Sequence, residues 1–318
     1  MKYSKPIRKD GLFYCPCGHP KGYKDPSGFR YHYRKEHAGK VEEKSPVKEV
    51  VKDIVYDEYG LTDKQLKRIL VAKRQTQIKP TTIEFGETYK FGAMGDNHFC
   101  SQEERREALN IFYDMCEAEG IKDVYNAGDV VAGQGVYRGQ EYEIHTYGAD
   151  NQVKYVVENY PRRKGITTHF VTGNHDYAYY KQIGLDIGEM IKKERDDMNY
   201  LGMFQADVMW KGIPLIRVVH PDGGMTYAIS YRMQKYVEQI SSSKKPKIIL
   251  SGHQHTACYF FYRNIYVVQV GAFEGQTKLI LRKGINPTIG GWIITVRFCK
   301  DSRRSIKSFI ADHRIIEY

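Results

Sequence analysis

Between residues 88 and 275, short apolar runs alternate with longer amphipathic stretches. The runs at 89–94, 123–127, 167–171, 215–219 and 247–250 are short, and several are rich in β-branched residues, which predicts buried strands. The segments 101–119, 149–159, 181–198 and 230–241 are patterned as helices between them. Strands alternating with helices predict an α/β domain. The tail differs. Residues 257–270 and 291–299 alternate aromatic, β-branched and polar positions, as antiparallel strands do, and Trp292 with Ile293-Ile294-Thr295-Val296 fits a late strand packed on the core. Upstream, 61–76 reads as a helix: Thr62 and Gln65 fit a capping box, and Leu61 and Leu66 a hydrophobic staple. Lys64, Lys67, Arg68, Lys73 and Arg74 make it basic, and Pro80 closes the region. Residues 40–57 lack periodicity and read as a linker. No internal repeat is present.

Each of the five runs ends in polar punctuation. In order these are Gly95-Asp96-Asn97-His98, Gly128-Asp129, Gly173-Asn174-His175-Asp176, His220-Pro221 and Gly252-His253-Gln254-His255. Ligand sites in open α/β sheets lie just beyond strand carboxyl ends, so these residues are placed to converge. Carboxylate, amide and imidazole donors suit Mn²⁺, Fe or Zn²⁺. Alternation puts Asp96 and His98, and likewise His253 and His255, on one side of an extended chain. Two divalent ions held among such donors would lower the pKa of a shared water and give a hydroxide at neutral pH. No G-x-x-x-x-G-K-[ST] loop is present, which argues against a P-loop NTPase.

The series D-x-H, G-D, G-N-H-D, H and G-H-x-H, in this order, resembles the calcineurin-like metallophosphoesterases over roughly residues 88–275. That resemblance implies a four-layer αββα sandwich, two packed mixed β-sheets flanked by helices. It also implies that Asp96, His98 and His255 hold one metal, Asn174, His220 and His253 a second, and that Asp129 bridges them. His175 would face the substrate phosphate and protonate the leaving oxygen, with Asp176 orienting it. On the substrate side, Arg138 at the end of the glycine-rich loop 133–139 is a candidate phosphate clamp. His145, Tyr177, Arg162 and Arg163 lie near motifs and are candidates of the same kind. Many members dimerise, so the resemblance also allows a homodimer. Tyr259-Phe260-Phe261-Tyr262-Arg263-Asn264 and Gly290-Gly291-Trp292 resemble members encoded by phages and other prokaryotic viruses.

The chain has 318 residues and a formal net charge of +11. Residues 1–40 hold ten Lys or Arg against three Asp or Glu, a net of +7. Residues 91–318 hold 29 against 26, a net of +3. The basic excess therefore lies mostly near the N-terminus, where it attracts polyanions such as nucleic acid. In that segment Cys15-x-Cys17 and His32-x₄-His37 form a candidate structural Zn²⁺ set resembling a C₂H₂ finger. Tyr23, Phe29 and His32 repeat the finger's core spacing, and Asp25-Pro26 fits a helix start. Two features depart from the finger. One residue separates the cysteines and fourteen separate Cys17 from His32, and the knuckle so altered leaves His19 as a competing ligand. The face that would meet bases offers Asp25, Ser27, Gly28 and Tyr31 and no arginine, so phosphate contact is expected over base readout. A protein-docking finger is the alternative.

The expected organisation is a zinc-finger module at 1–40, a linker and basic helix at 41–87, and the phosphoesterase domain at 88–318. No apolar run is long enough to span a bilayer, and no signal core follows the basic N-terminus. Cys100, Cys116, Cys258 and Cys299 read as free thiols in a reducing compartment, so a cytoplasmic protein is expected, in the host cytoplasm if viral. The leading functional expectation is a two-metal phosphodiesterase acting on nucleic acid, chiefly DNA at low sequence specificity. A phosphatase or cyclic-nucleotide phosphodiesterase for small molecules or phosphoproteins is the second. A non-catalytic nucleic-acid-binding subunit is the third, and the complete ligand series with His175 argues against it.

Overall fold

The five apolar runs form strands, and the strands form two sheets. The structure is a computed structural model that describes residues 7–9, 12–14, 24, 80–224, 228–299 and 305–316. The chain divides into two compact units, Met1–Gln75 and Thr76–Tyr318. In the first, β1 (Ile7–Lys9) pairs antiparallel with β2 (Leu12–Tyr14). The zinc-ligand candidates Cys15, Cys17, His32 and His37, and the basic helix expected at 61–76, lie outside the described residues.

The second unit runs β3 (Thr81–Thr82), β4 (Thr88–Met94), α1 (Arg106–Ala118), β5 (Asp123–Asn126), α2 (Ala149–Asn159), β6 (Thr167–Thr172), α3 (Asn174–Ile183), α4 (Ile187–Glu194), β7 (Met198–Met203) and β8 (Gln205–Trp210). It continues with β9 (Ile213–Val219), α5 (Tyr231–Gln239), β10 (Ile248–Ser251), β11 (Ala257–Tyr262), β12 (Ile265–Val270), α6 (Lys278–Arg282), β13 (Gly290–Phe298) and β14 (Ile306–Ile315). One sheet has the order β14-β13-β4-β5-β6-β7 and the other β11-β12-β10-β9-β8-β3. Both are mixed: β4, β5, β6 and β7 run parallel, as do β9, β10 and β12, while hairpins add antiparallel strands.

Side-chain alternation sorts the core into layers. In β10, Ile248 and Leu250 face the other sheet, and Ile249 faces Met233 and Val237 of α5. In β4, Phe91 and Ala93 join Val218 and Val268 between the sheets. Met94 instead packs with Leu109 and Phe112 of α1, Val153 of α2 and Ile191 of α4. The order is therefore helix, sheet, sheet, helix. Carboxyl ends of β4, β5 and β6 in one sheet and of β9 and β10 in the other carry the polar series, so both sheets supply one site. Among the described residues, no helix is long and apolar enough to cross a membrane.

The helix expected at 181–198 is not one helix. α3 starts at Asn174 and ends at Gly184, whose φ of 73° is left-handed, and Asp186 then caps α4 by accepting from the Gly188 N–H. Strands β7, β8 and β14 and the short α6 were outside the sequence expectation.

Candidate metal centre

Seven polar residues from the five strand ends meet at one place. Asp96, His98 and His255 offer ligand atoms within 4.8 Å of one another, as do Asp129, His220 and His253. Asn174 joins the second group, its Oδ1 lying 3.0 Å from His220 Nε2 and 2.9 Å from His253 Nδ1. Asp129 lies between the groups, with Oδ2 3.2 Å from His220 Nε2 and 3.7 Å from His98 Nε2.

The backbone there is strained. Asp96, His98, Asp129, His253 and His255 all lie in the left-handed region, at φ of 49°, 45°, 51°, 77° and 54°. Such conformations cost L-residues about 1 kcal/mol or more each and persist only where surroundings fix them. Here the Asp96 N–H donates to Gly128 O, those of Asn97 and His98 donate to Asp129 O, and the His253 N–H donates to the Asp96 carboxylate. Gly128 and Gly173 make the approach possible. A Cβ on Gly128 would sit 2.6 Å from His220 Nδ1, and one on Gly173 would overlap the Asp129 carboxylate.

Backbone carbonyls select which imidazole nitrogen faces inward, because a carbonyl only accepts. His220 Nδ1 donates to Ala127 O at 2.8 Å, and His253 Nε2 donates to Gly223 O at 2.7 Å. His220 Nε2 and His253 Nδ1 are left pointing at Asn174 and Asp129. His175 Nδ1 donates to Ala132 O at 2.7 Å, leaving Nε2 as the remaining ring nitrogen.

Electrostatics fit a cation. Burial pushes the Asp96 carboxyl up to about 8, and that of Asp176 up to about 7. Burial pushes His255 down to about 3, His253 to about 4, and His98 well below its ordinary value. Burial would also lower His220 and raise Asp129, but each stabilises the other's charge, so His220 rises to about 9 and Asp129 stays well below the carboxylate range. His98 Nε2 and His255 Nε2 face each other at 3.1 Å, while the buried Nδ1 atoms of both lack a hydrogen-bond partner. Inward-facing lone pairs that neighbouring protein donors do not satisfy are a fit for divalent metal.

A profile of the calcineurin-like phosphoesterase family matches residues 89–257, more than half of the chain. The chain belongs to that family. It is a metal-dependent phosphoesterase, and the family uses a dinuclear divalent-metal site. It is similar to the DNA polymerase II small subunit of Methanocaldococcus jannaschii, at 24% identity over 201 residues, 53% of this chain. It spans about a third of that relative's length, 34%. Among solved structures, an archaeal phosphodiesterase aligns with a TM-score of 0.38 at 11% identity, over 71% of this chain and 100% of that one. Vps29 with Zn²⁺ from Entamoeba histolytica aligns with a TM-score of 0.38 at 12% identity, over 71% and 99%.

The phosphoesterase cage opens into a cavity of about 230 Å³ roofed by Val136, Tyr137, Thr277, Ile280 and Lys283. His98, Asp129, Asn174, His175, His253 and His255 form its floor. The substrate-side candidates lie elsewhere. Arg138 is exposed and does not line it. His145 is bonded to Thr146 at 2.9 Å, outside the cavity lining. Arg162 pairs with Asp196 and Asp197, and Arg163 with Asp114, at the surface. Tyr177 stacks on Tyr180 and meets Phe204 edge-on, also off the lining.

Asp176 does not orient His175. Its carboxylate accepts from the backbone N–H groups of Gly173, Val130 and Val131, tying the start of α3 to the Asp129 loop, while Ala132 O holds the His175 ring. Three other residues carried no motif. Glu274 is buried, with its carboxylate 3.8 Å from the rings of His98 and His255, and burial pushes it up to about 8. Asn126 accepts from the Gly128 N–H and donates to Asn97 Oδ1, joining two ligand loops. Lys283 is the one lysine or arginine among the described residues lining the cavity.

Proposed function

We propose that this phosphoesterase is a phosphodiesterase acting on nucleic acid, chiefly DNA. The observation that carries the reading is a complete two-metal donor set in the same chain as a strongly basic N-terminal segment. Asp96, His98 and His255 would hold one ion, Asn174, His220 and His253 the other, with Asp129 shared. Mn²⁺ suits this mixed oxygen and nitrogen set, with Fe or Zn²⁺ as alternatives. Bound ions supply water activation and neutralise charge developing on the phosphate.

The chain's own residues do the rest. His175, in its imidazolium form, gives the Nε2 proton to the leaving oxygen while its Nδ1–H is held by Ala132 O, and ends the step as the neutral ring. Asp176 fixes the loop carrying Asp129. Lys283 attracts the phosphate at the cavity roof. Residues 1–40, net +7, with Cys15, Cys17, His32 and His37 as a structural Zn²⁺ set, would tether the enzyme to phosphate backbone at low sequence specificity. Similarity to a polymerase small subunit supports the nucleic-acid connection. A cavity of about 230 Å³ admits a phosphate and one attached group, so single strands or strand ends are the expected substrates.

The same small volume favours a second reading, a phosphatase or phosphodiesterase for small phosphoesters. End-labelled single- and double-stranded DNA, incubated with Mn²⁺ beside a His175→Ala control, separates the two. Metal-dependent cleavage lost in the variant supports the nuclease. Hydrolysis of a small phosphodiester without DNA cleavage supports the second reading.

A further inference from the structure

Beside the cage lies a second cavity, of about 630 Å³, which the chemistry described so far does not use. That volume is in the range of ligand pockets, roughly 300–1,000 Å³. The loop His220–Gly223 stands between the two. His220 lines the second cavity while its Nε2 faces Asn174, and Gly223 lines the first while its carbonyl holds His253.

Walls of the second cavity combine aromatic faces with polar edges. Phe204 comes from the β7–β8 corner, and Tyr231 and Tyr236 come from α5, with Tyr231 49% exposed. Phe204 is seated edge-on against Tyr177, whose ring stacks on Tyr180, so α3 backs this wall. Tyr236 donates to Gln205 at 2.9 Å and closes one side. Arg232 Nη1 donates to Asp222 O at 2.6 Å, and its buried Nε has no partner. Lys235 pairs with Glu238 at 3.0 Å and lies 6.0 Å from the Tyr231 ring centroid.

We propose that this cavity is a nucleoside subsite, taking the base and sugar attached to the phosphate held at the cage. A nucleobase is an aromatic plate with polar edges, and the cavity offers aromatic faces with Gln205 and Asp222 at the rim. Arg232 and Lys235 line the same cavity and supply the cations that a further phosphate of a strand would meet. The cavity suits a nucleoside better than a bare anion, because Asp222 in the lining and Glu238, the ion-pair partner of Lys235 outside it, offset the two cations. The subsite deepens the nucleic-acid reading and rests on it for the identity of the substrate.

The test uses the full chain loaded with Mn²⁺ and the variants Tyr231→Ala and Arg232→Gln. Two ratios are read: kcat/KM on a short single-stranded oligonucleotide over kcat/KM on bis(p-nitrophenyl) phosphate, and the Kd for deoxyadenosine 5′-monophosphate against wild type. Tyr231→Ala is expected to lower the first ratio about tenfold through KM and to weaken the nucleotide about tenfold. A parallel fall on both substrates would mean a structural role and overturn the subsite, with Arg232→Gln as a second check should one variant fold poorly. Oligonucleotide cleavage with an unchanged ratio and Kd in both variants also overturns it, while leaving the nuclease intact. If wild type cleaves no oligonucleotide yet binds the nucleotide in a Tyr231-dependent way, the subsite stands and the nuclease reading falls.

Discussion

At the scale of single residues, His175 presents Nε2 to the cavity because Ala132 O engages Nδ1. His175→Ala should lower kcat by about 10²–10⁴-fold and leave metal stoichiometry at wild-type levels, measured by turnover beside elemental analysis. Loss of metal in that variant would make His175 a structural residue. Glu274→Gln should weaken metal affinity by about 10-fold or more in a calorimetric titration, because its carboxylate lies against two cage imidazoles. An unaltered isotherm would remove Glu274 from the centre. The meeting of Asp96, His98, Asp129, Asn174, His220, His253 and His255 was legible because each ligand type follows a strand and a turn. Glu274, Asn126 and Lys283 were not, since a single Glu, Asn or Lys has no local pattern and reaches the site only through tertiary packing. Asp176 was misread for the same reason: adjacency to His175 in sequence suggested contact, whereas the first turn of α3 points the two side chains in different directions.

At the scale of elements, the strands that carry a continuous apolar run or a clean alternation were legible, β11 at a sheet edge included, whereas β7, β8 and β14 were not. β14 alternates between half-buried and exposed residues along its length, so Lys307, Asp312 and Arg314 dilute its apolar pattern. β7 contains Gly202 and a register shift after Phe170 of β6, and both blur its period. α6 has only five residues, too few to display a helical repeat. The junction of β6 and α3 is the element on which the centre turns. Gly173→Ala should cost about 1–3 kcal/mol in urea denaturation and lower metal affinity in parallel, because the new methyl would displace the Asp129 carboxylate. Wild-type stability with full affinity would show that the junction has slack.

At the scale of the whole molecule, the centre makes stability depend on metal and on pH together. Asp96 and Glu274 have folded values raised to about 8, above those of an unfolded chain. Without metal, each therefore stabilises the fold while neutral, and that contribution fades as pH rises toward about 8. His98, His253 and His255, held low by burial, act oppositely and weaken the fold only as pH falls through and below the ordinary histidine range. With divalent ions bound, ionised carboxylates are favoured. The difference in Tm between Mn²⁺-loaded and chelated protein should therefore widen from about pH 6 to about pH 8 in scanning calorimetry. A constant or narrowing gap would contradict the buried carboxylates described here. Because Asp96, His98, Asp129 and Asn174 follow strands of one sheet and His220, His253 and His255 follow strands of the other, metal ions seated among them would rivet two slabs that otherwise adhere through their apolar faces and a few hydrogen bonds, such as His220 Nδ1 to Ala127 O and Trp292 Nε1 to Gln269 O. Pulling the slabs apart would then require breaking coordination bonds before the core yields, so the metal would set the resistance to mechanical extension and to proteases as much as the rate of chemistry.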